Sequence, residues 1–379
     1  MEEILPSDDN LFQARSLWLS NSVDIDVVEK LYRKELSTSE DKDGENARSN
    51  AIERLSLILC QSGRAQEAEP LLRSVGYKCR LSSCVLDYRL TENEVILSGK
   101  EKSLSQIFDN FLSSKEMNVL REAFERIQSD YWLEHKYEVE PPSPYVSYVI
   151  PILSVEKHGF MGHLISKCIT LLKPYFPLLE KACFVEMWAH NRPHASGHQM
   201  HFDSDNEGLG GVRNPIISTI LFLSEGTGGP SLVTNQKLMH GQLATKGWMC
   251  LPKEKRLVAF DGKVLHGVVP GKGNCNSKSQ RRVTVMLAFW NKIQVRDDTK
   301  GAAQSFPEDR PWAKILRQPF TEENFKDDGV LTRARPYEVK PVYETLHGEP
   351  WKREMGLGND RSSWSDELLG NLPNIYLYA

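Results

Sequence analysis

Apolar and polar positions change rhythm twice along this chain of 379 residues. In the first hundred residues the spacing is helical. Val23, Val27, Val28 and Leu31 recur at helical intervals and predict a helix over 23–36. The polar run Ser37 to Asn50 reads as a loop or a disordered segment, and Ala51 to Cys60 and Ala65 to Val75 read as two short helices joined around Gly63. Leu55, Leu59, Gly63, Ala68 and Leu71–Leu72 are loosely like one tetratricopeptide-type hairpin. Such arrays need about three repeats to bury a continuous core, so a helical cap on a main domain fits as well. A further helical entry is expected over 104–132, with Ser113 or Ser114 as N-cap and Met117, Leu120, Phe124 and Ile127 on one face. From Tyr145 onward the texture turns to short β-branched and aromatic runs separated by Gly, Pro and Asn: YVSYVIPI, CFVEMWAH, HQMHFD, PIISTILFL, PSLVTN, RLVAFD and RVTVMLAFW. Many short punctuated strands argue for a sandwich or barrel. One helical stretch, Gly162 to Leu172, interrupts them.

The last eighty residues show little periodicity, yet Trp312, Phe320, Trp351, Trp364 and Tyr376 make them too hydrophobic for a free tail. An ordered extension wrapping the barrel is expected. The pattern therefore divides the chain into a helical region (1–100), a β domain (101–295) and an extension (296–379), a mainly β architecture with flanking helices (α+β).

Composition changes this picture little. The net charge of -4 gives no general push toward nucleic acid or an anionic membrane. Residues 1–60 are acid-rich and 237–300 base-rich, and a solvated basic surface is the favoured reading of the second stretch over an anion site. No uncharged apolar run is long enough to span a bilayer; the longest uncharged stretch, Pro141 to Val155, contains four prolines. The opening MEEILPSDDN lacks the basic-then-apolar order of a secretory signal. Seven scattered cysteines (60, 79, 84, 168, 183, 250, 275) without a CxxC pair point to free thiols in a reducing compartment. An intracellular protein, cytoplasmic or nuclear, is expected.

The chemistry concentrates in His201-Phe202-Asp203. Residues i and i+2 of a strand share a face, so an H-x-D pair presents an imidazole and a carboxylate together. His266, just after the expected strand Arg256 to Asp261, supplies a third ligand. Two histidines and one carboxylate form the facial triad of non-haem iron(II) oxygenases, which leaves positions open for co-substrate and oxygen. Arg282 opens RVTVMLAFW and shares a face with Thr284. A guanidinium can grip a carboxylate bidentately while a hydroxyl adds a hydrogen bond, which suits the distal carboxylate of 2-oxoglutarate. Arg281 is expected to face solvent; a strand starting one residue earlier exchanges the two arginines.

Nearby polar residues have plainer readings. His194 reads as a loop residue, His198 as facing away from His201 in the strand, and Asp205 as ordering a turn. Gln199 lines the pocket or bonds within the barrel; Asn214, Thr219 and Trp188 line it or simply pack. Asp261 orients a histidine or caps a turn with Gly262, and Arg192 pairs with substrate or with an acid. The runs GLGG (208–211) and GTGG (226–229) lack the Lys-Ser/Thr tail and the strand–helix setting of a phosphate loop.

In this order, H-x-D, Gly228-Gly229 before a strand, F-D…H-G-V and Arg282-Val283-Thr284 resemble the 2-oxoglutarate/iron(II) dioxygenase superfamily, closest to its prolyl-hydroxylase-like group. The resemblance covers roughly Phe108 to Asn291, and FDNFLS is similar to the segment preceding the barrel there. Two departures stand out. Prolyl 4-hydroxylases typically grip 2-oxoglutarate with a lysine where this chain has Arg282, although arginine is common in the wider superfamily. The loop between His266 and Arg282 is also longer than usual.

The resemblance implies a double-stranded β-helix (jelly roll) core. It implies Fe(2+), 2-oxoglutarate and O2 as cofactor and co-substrates, with room for ascorbate as reductant. It further implies decarboxylation to succinate coupled to hydroxylation. Halogenases of the superfamily replace the acid by Gly or Ala, so Asp203 favours hydroxylation. A protein side chain is slightly favoured as substrate over a small molecule, with the N-terminal helices available to recruit a protein partner. No groove of interleaved basic and aromatic residues points to nucleic acid. The alternative is a catalytically inactive jelly-roll scaffold acting through its helices, which leaves a costly interior polar cluster unexplained. A cupin-type enzyme without 2-oxoglutarate leaves Arg282 unexplained.

Overall fold

The computed structural model describes residues 10–20, 24–38, 45–88, 104–125, 129–137, 139, 145–205, 213–238, 243–273, 275, 281–297, 302–319, 329–346 and 375–376. Four helices come first: α1 (Asn10–Leu19), α2 (Ile25–Thr38), α3 (Glu45–Gln61) and α4 (Ala65–Ser74). Strand β1 (Cys79–Leu81) and the short helix α5 (Ser83–Leu86) follow. Residues 45–50, read as loop from their polarity, instead form the first turns of α3. In the sequence this stretch has one apolar residue, Ala47, before Ala51, so periodicity there carries no signal.

Strand β2 (Ser105–Asp109), helices α6 (Ser114–Phe124) and α7 (Asp130–His135), strand β3 (Tyr148–Pro151) and helix α8 (Gly159–Leu172) lead into the strands of the two main sheets. These are β4 (Phe184–Arg192), β5 (His198–His201), β6 (Ile217–Phe222), β7 (Ser231–Lys237), β8 (Gly247–Cys250), β9 (Leu257–Asp261), β10 (Val264–Val268) and β11 (Arg282–Trp290). The chain then gives β12 (Gln304–Ser305), α9 (Pro311–Leu316), β13 (Thr332–Ala334), β14 (Tyr337–Val339), β15 (Tyr343–Thr345) and β16 (Ile375–Tyr376).

The helical expectation over 104–132 holds only from Ser114. Residues 105–109 are a strand between β9 and β13. Asp109 ends that strand in a buried pair, accepting from Arg256 Nε at 2.7 Å and from Lys253 Nζ at 2.7 Å. Sheet pairing and that ion pair outweigh local helical spacing. Helix α6 does begin as expected: the Ser113 side chain caps Glu116 N–H and Glu116 returns to Ser113 N–H, a reciprocal capping box.

An eight-stranded sheet has the order β12-β3-β4-β11-β6-β9-β2-β13, and a five-stranded sheet the order β14-β8-β7-β10-β5. A small third sheet joins β15, β1 and β16. Three apolar cores explain the layering. Trp188, Ile220, Phe222, Val258, Phe260, Met286 and Trp290 of the larger sheet meet Val233, Cys250 and Val264 of the smaller one, so the two sheets pack face to face. The outer face of the larger sheet, with Val185, Leu221, Val283, Val285 and Leu287, is covered by Met117, Leu120 and Phe124 of α6 and by Phe160, Leu164 and Cys168 of α8. The outer face of the smaller sheet, with Met200, Leu232, Met249 and Leu265, is covered by α1 to α5 through Trp18, Tyr32, Leu55, Ile58 and Leu72. Strand β11 is buried on both faces, which is why Val285 to Trp290 is a continuous apolar run.

The segment after residue 295 contributes strands to both main sheets, and Trp312 is fully buried against Tyr131, Tyr148 and Phe306. Phe320, Trp351 and Trp364 lie outside the described residues. Among the described residues no helix is long and apolar enough to cross a membrane, and all seven cysteines are free.

Candidate active site

Antiparallel pairing of β5 with β10 sets His201 directly opposite His266, which puts both imidazoles on the face between the sheets. His266 follows β9, as expected, and lies within the next strand, β10. Each ring makes the same local hydrogen bond. His201 Nδ1 meets Gln199 O at 2.9 Å, and His266 Nδ1 meets Val264 O at 3.0 Å. A carbonyl only accepts, so Nδ1 carries the proton and the neutral ring keeps a lone pair on Nε2. Both Nε2 atoms face Asp203 Oδ1, at 3.5 Å and 3.6 Å. The three donor atoms lie within 4.8 Å of one another.

Asp203 is held in place by two hydrogen bonds. Ser218 Oγ donates to its Oδ2 at 2.5 Å, and Asn214 Nδ2 donates to its backbone carbonyl at 2.7 Å. Oδ1 therefore remains as the atom that faces the imidazoles. Burial opposes charge on both sides of this cluster. The neighbouring His266 and His201 nonetheless hold the Asp203 carboxyl well below the usual carboxylate range, and Asp203 raises His266 against the same burial. Buried His266 Nε2 has no hydrogen-bond partner. Two nitrogen lone pairs and one carboxylate oxygen converge on a shared space, a donor set that fits a divalent transition metal such as iron.

The interior wall beside this trio is written by the strand register. On β11, Arg282 pairs with Arg192 of β4, and Thr284 pairs with His190 of β4 and Phe222 of β6. Arg282 is 2% exposed. Its guanidinium lies 5.0 Å from the Phe222 ring centroid, and Nη2 donates to Ser231 Oγ at 2.8 Å. Its Nε and the buried Thr284 Oγ1 have no hydrogen-bond partner. Burial first, then the nearby Arg192, pulls the Arg282 pKa down to about 10. Among the described residues no carboxylate pairs with Arg282, so the wall offers a buried cation and a buried hydroxyl to an anion. Gly228 (φ +78°) makes this possible, since a Cβ there would come within 2.4 Å of Arg282 Cδ.

Arg281, expected at solvent, is instead half-buried, with Nη2 donating to Asn191 O at 2.8 Å and Nε to Asn191 Oδ1. It is committed to the β4 backbone, and Arg282 is the arginine on the interior face.

The largest departure concerns His198. The β5–β10 register shifts between His198 and His201, a bulge that breaks strict alternation. His198 therefore does not face away: its ring lies 4.6 Å from that of His201 and 5.0 Å from that of His190. Gln199 is exposed and contributes its carbonyl. His194 joins loops, accepting from Gly228 N–H at 3.0 Å through Nδ1. Asp205 orders its turn through Arg213 and Arg296 at 2.8 and 2.6 Å. Asp261 caps its turn by accepting from Lys263 N–H, and Thr219 packs with its hydroxyl on Leu287 O. The GLGG run lies outside the described residues.

Several site residues carry no sequence signal of their own. Ser218, Ser231, His190 and Glu186 reach the interior only because β4, β6, β7 and β11 are arranged as they are. Parity with Trp188 flags His190 and Glu186 once β4 is recognised as a strand. Glu186 is buried, receives hydrogen bonds from Ser147 Oγ at 2.5 Å and Tyr145 Oη at 3.2 Å, and is pushed up to about 7 by burial.

No protein-family model matches the chain, and no curated protein sequence matches it. Solved structures do. A Pseudomonas putida prolyl-4-hydroxylase is 15% identical, covering 50% of this chain and 92% of its own, with a TM-score of 0.31. EvdO2 from Micromonospora carbonacea var. aurantiaca, complexed with 2-oxoglutarate, is 16% identical, covering 58% and 98%, with a TM-score of 0.35. HygX from Streptomyces hygroscopicus, with nickel, 2-oxoglutarate and hygromycin B bound, is 13% identical, covering 54% and 92%, with a TM-score of 0.31. In fold, the chain is similar over about half its length to a prolyl hydroxylase and to two proteins solved with 2-oxoglutarate, at identities and scores that leave its function to its own geometry.

Proposed function

We propose that this chain is an Fe(II)- and 2-oxoglutarate-dependent dioxygenase built on a double-stranded β-helix. It couples decarboxylation of 2-oxoglutarate to hydroxylation of an organic substrate. One oxygen atom of O2 enters succinate and the other enters a substrate C–H bond, so 2-oxoglutarate, O2 and substrate become succinate, CO2 and the alcohol. The observation that carries the reading is the meeting of His201 Nε2, His266 Nε2 and Asp203 Oδ1 within 4.8 Å, beside a buried arginine that no described acid neutralises.

In this reading His201, Asp203 and His266 hold the metal, which supplies oxygen activation when bound. The carbonyls of Gln199 and Val264 fix the two imidazoles in the ligating tautomer. Ser218 orients Asp203. Arg282 and Thr284 hold the distal carboxylate of 2-oxoglutarate, and Ser231 fixes the guanidinium in position. The surrounding Phe222, Phe260 and Trp188 exclude water from the interior. A scaffold without activity has no use for such a cluster, because unpartnered polar atoms in an apolar interior cost stability.

Anaerobic titration of the protein with Fe(II) and 2-oxoglutarate, following the visible charge-transfer band of the chelate, tests the proposal. The band is expected in the wild type. His201→Ala abolishes it, and Arg282→Ala shifts it to much higher 2-oxoglutarate. A folded wild-type protein that gives no band overturns the reading.

A further inference from the structure

One buried carboxyl has no part in the chemistry proposed so far. Glu186 of β4 is 5% exposed and stands inside the sandwich, where the strand register puts it in one row with Ala288 of β11 and Ser218 of β6. Ser218 is the residue that donates to Asp203 Oδ2 at 2.5 Å. Neighbouring strands are spaced by about 4.8 Å, so the backbones of Glu186 and Ser218 are about 10 Å apart, with only the Ala288 methyl group in the row between them. Glu186 thus stands beside the trio, on its Asp203 side.

The two oxygens of Glu186 differ. Oε1 accepts from Ser147 Oγ at 2.5 Å and from Tyr145 Oη at 3.2 Å. Ser147 Oγ itself accepts from Ala303 N–H at 2.7 Å, which commits the serine proton to Glu186. Oε2 has no hydrogen-bond partner among the described residues. Among the described residues no Lys, Arg or His pairs with Glu186. Arg213 and Arg296 pair with Asp205, and Arg192 is six residues further along β4, about 20 Å away. Burial pushes the Glu186 carboxyl up to about 7, and Asp203 adds to the rise against the Ser147 hydrogen bond. A buried carboxyl with an open oxygen is stabilised when a cation completes it.

Two aromatic rings stand next to it. Trp188 is two residues on and shares its face. Tyr145, whose hydroxyl reaches Glu186, meets the Trp188 ring edge-on with centroids 6.0 Å apart. Tyr145 is 48% exposed, so this corner lies at the rim of the sandwich. A carboxylate beside two aromatic rings suits an ammonium group, through charge pairing on one side and π faces on the other.

Building on the proposed activity, we infer that Glu186 is a specificity-determining residue and that the substrate carries a protonated amine. The ammonium donates to Glu186 Oε2 and lies against Tyr145 and Trp188, and its carbon chain runs toward the Asp203 side of the trio.

Calorimetric titration with three probes of similar size tests this: phenethylamine, phenethyl alcohol and phenylacetate. Each is titrated anaerobically with Fe(II) and saturating 2-oxoglutarate present, so that the Arg282 position is filled. The amine is expected to bind about tenfold or more tighter than the alcohol, the worth of one charge-assisted hydrogen bond, and phenylacetate to bind weakest. Glu186→Gln keeps an acceptor for Ser147 and Tyr145 and removes the charge. It is expected to lower amine affinity about tenfold, to the level of the alcohol, and to leave the alcohol unchanged. The wild-type comparison needs no variant: an alcohol or an anion that binds as tightly as the amine overturns the inference, as does an amine that does not bind. An amine preference undiminished in the Gln variant overturns it too. The chelate band reads the metal site separately. Amine-selective binding without a band removes the oxygenase reading and leaves the ammonium site standing, and a band without amine selectivity does the reverse.

Discussion

Asp203 has two oxygens with different tasks. Oδ2 is taken by Ser218 at 2.5 Å, and Oδ1 is turned to the imidazoles. Without Ser218 the carboxylate can rotate, and a buried acceptor loses its donor. Ser218→Ala is therefore expected to weaken Fe(II) binding about 10- to 100-fold while leaving the fold intact, as read by competition with a metal-sensing chelator. Unchanged affinity would show that Asp203 is oriented without Ser218. The i, i+2 rule points to His201 and Asp203 as a pair, although β5 ends at His201 and Asp203 follows it. It could not show Ser218, which reaches Asp203 from another strand, 15 residues away in the chain. Nor could it place His198, because the bulge that turns it inward is a property of two strands.

At the scale of elements, α6 shows how a helix is anchored under the larger sheet. Its capping box makes Glu116 both a cap and the partner of Lys167 (2.9 Å) and His163 (2.8 Å) on α8. Burial opposes the charge, but the His163 hydrogen bond, the Ser113 N–H and Lys167 prevail and hold the carboxyl down at about 2. A depressed carboxyl contributes stability that is present above its unfolded value of 4.5 and is lost as pH falls from there toward about 2. Glu116→Gln should thus cost roughly 2 kcal/mol near pH 7, allowing for screening at its partly exposed partners. Denaturant melts of the two proteins should converge as pH drops through this window, and a gap independent of pH would remove the ion pair from the account. Ser113 was legible as a cap because polar punctuation precedes an apolar stripe. Strand β2, a few residues earlier, was not: IFDNF carries helical and strand spacing at once, and its pairing with β9 decides between them.

At the scale of the molecule, the N-terminal helices cover the smaller sheet through Trp18, Leu55 and Ile58. They also donate to the loops around it, with Trp18 Nε1 to Ala195 O at 3.0 Å and Gln61 Nε2 to Pro270 O at 3.0 Å. Removing residues 1–88 is expected to expose a continuous apolar face and to give aggregated protein in size-exclusion chromatography. A monomeric, metal-binding remainder would show that the helices are a separable module. The helical pattern of this region was legible in the sequence. Its docking on the smaller sheet was not, because Met200, Leu232 and Leu265 could be assigned to either face of a sandwich until the strand order was known.

The small sheet of β15, β1 and β16 has a consequence for how the protein is made. Leu81 of β1 pairs with Tyr343 of β15, which the ribosome adds 262 residues later (343 − 81). At ordinary elongation speeds that is roughly 10–50 s. Through most of that interval helices α1 to α4 are complete, while the sheet they must cover is still being synthesised. The apolar faces of α1 to α4 are then a natural client surface for a chaperone, and the core they share with Val339, Val342 and Leu346 is complete only when those residues have been made.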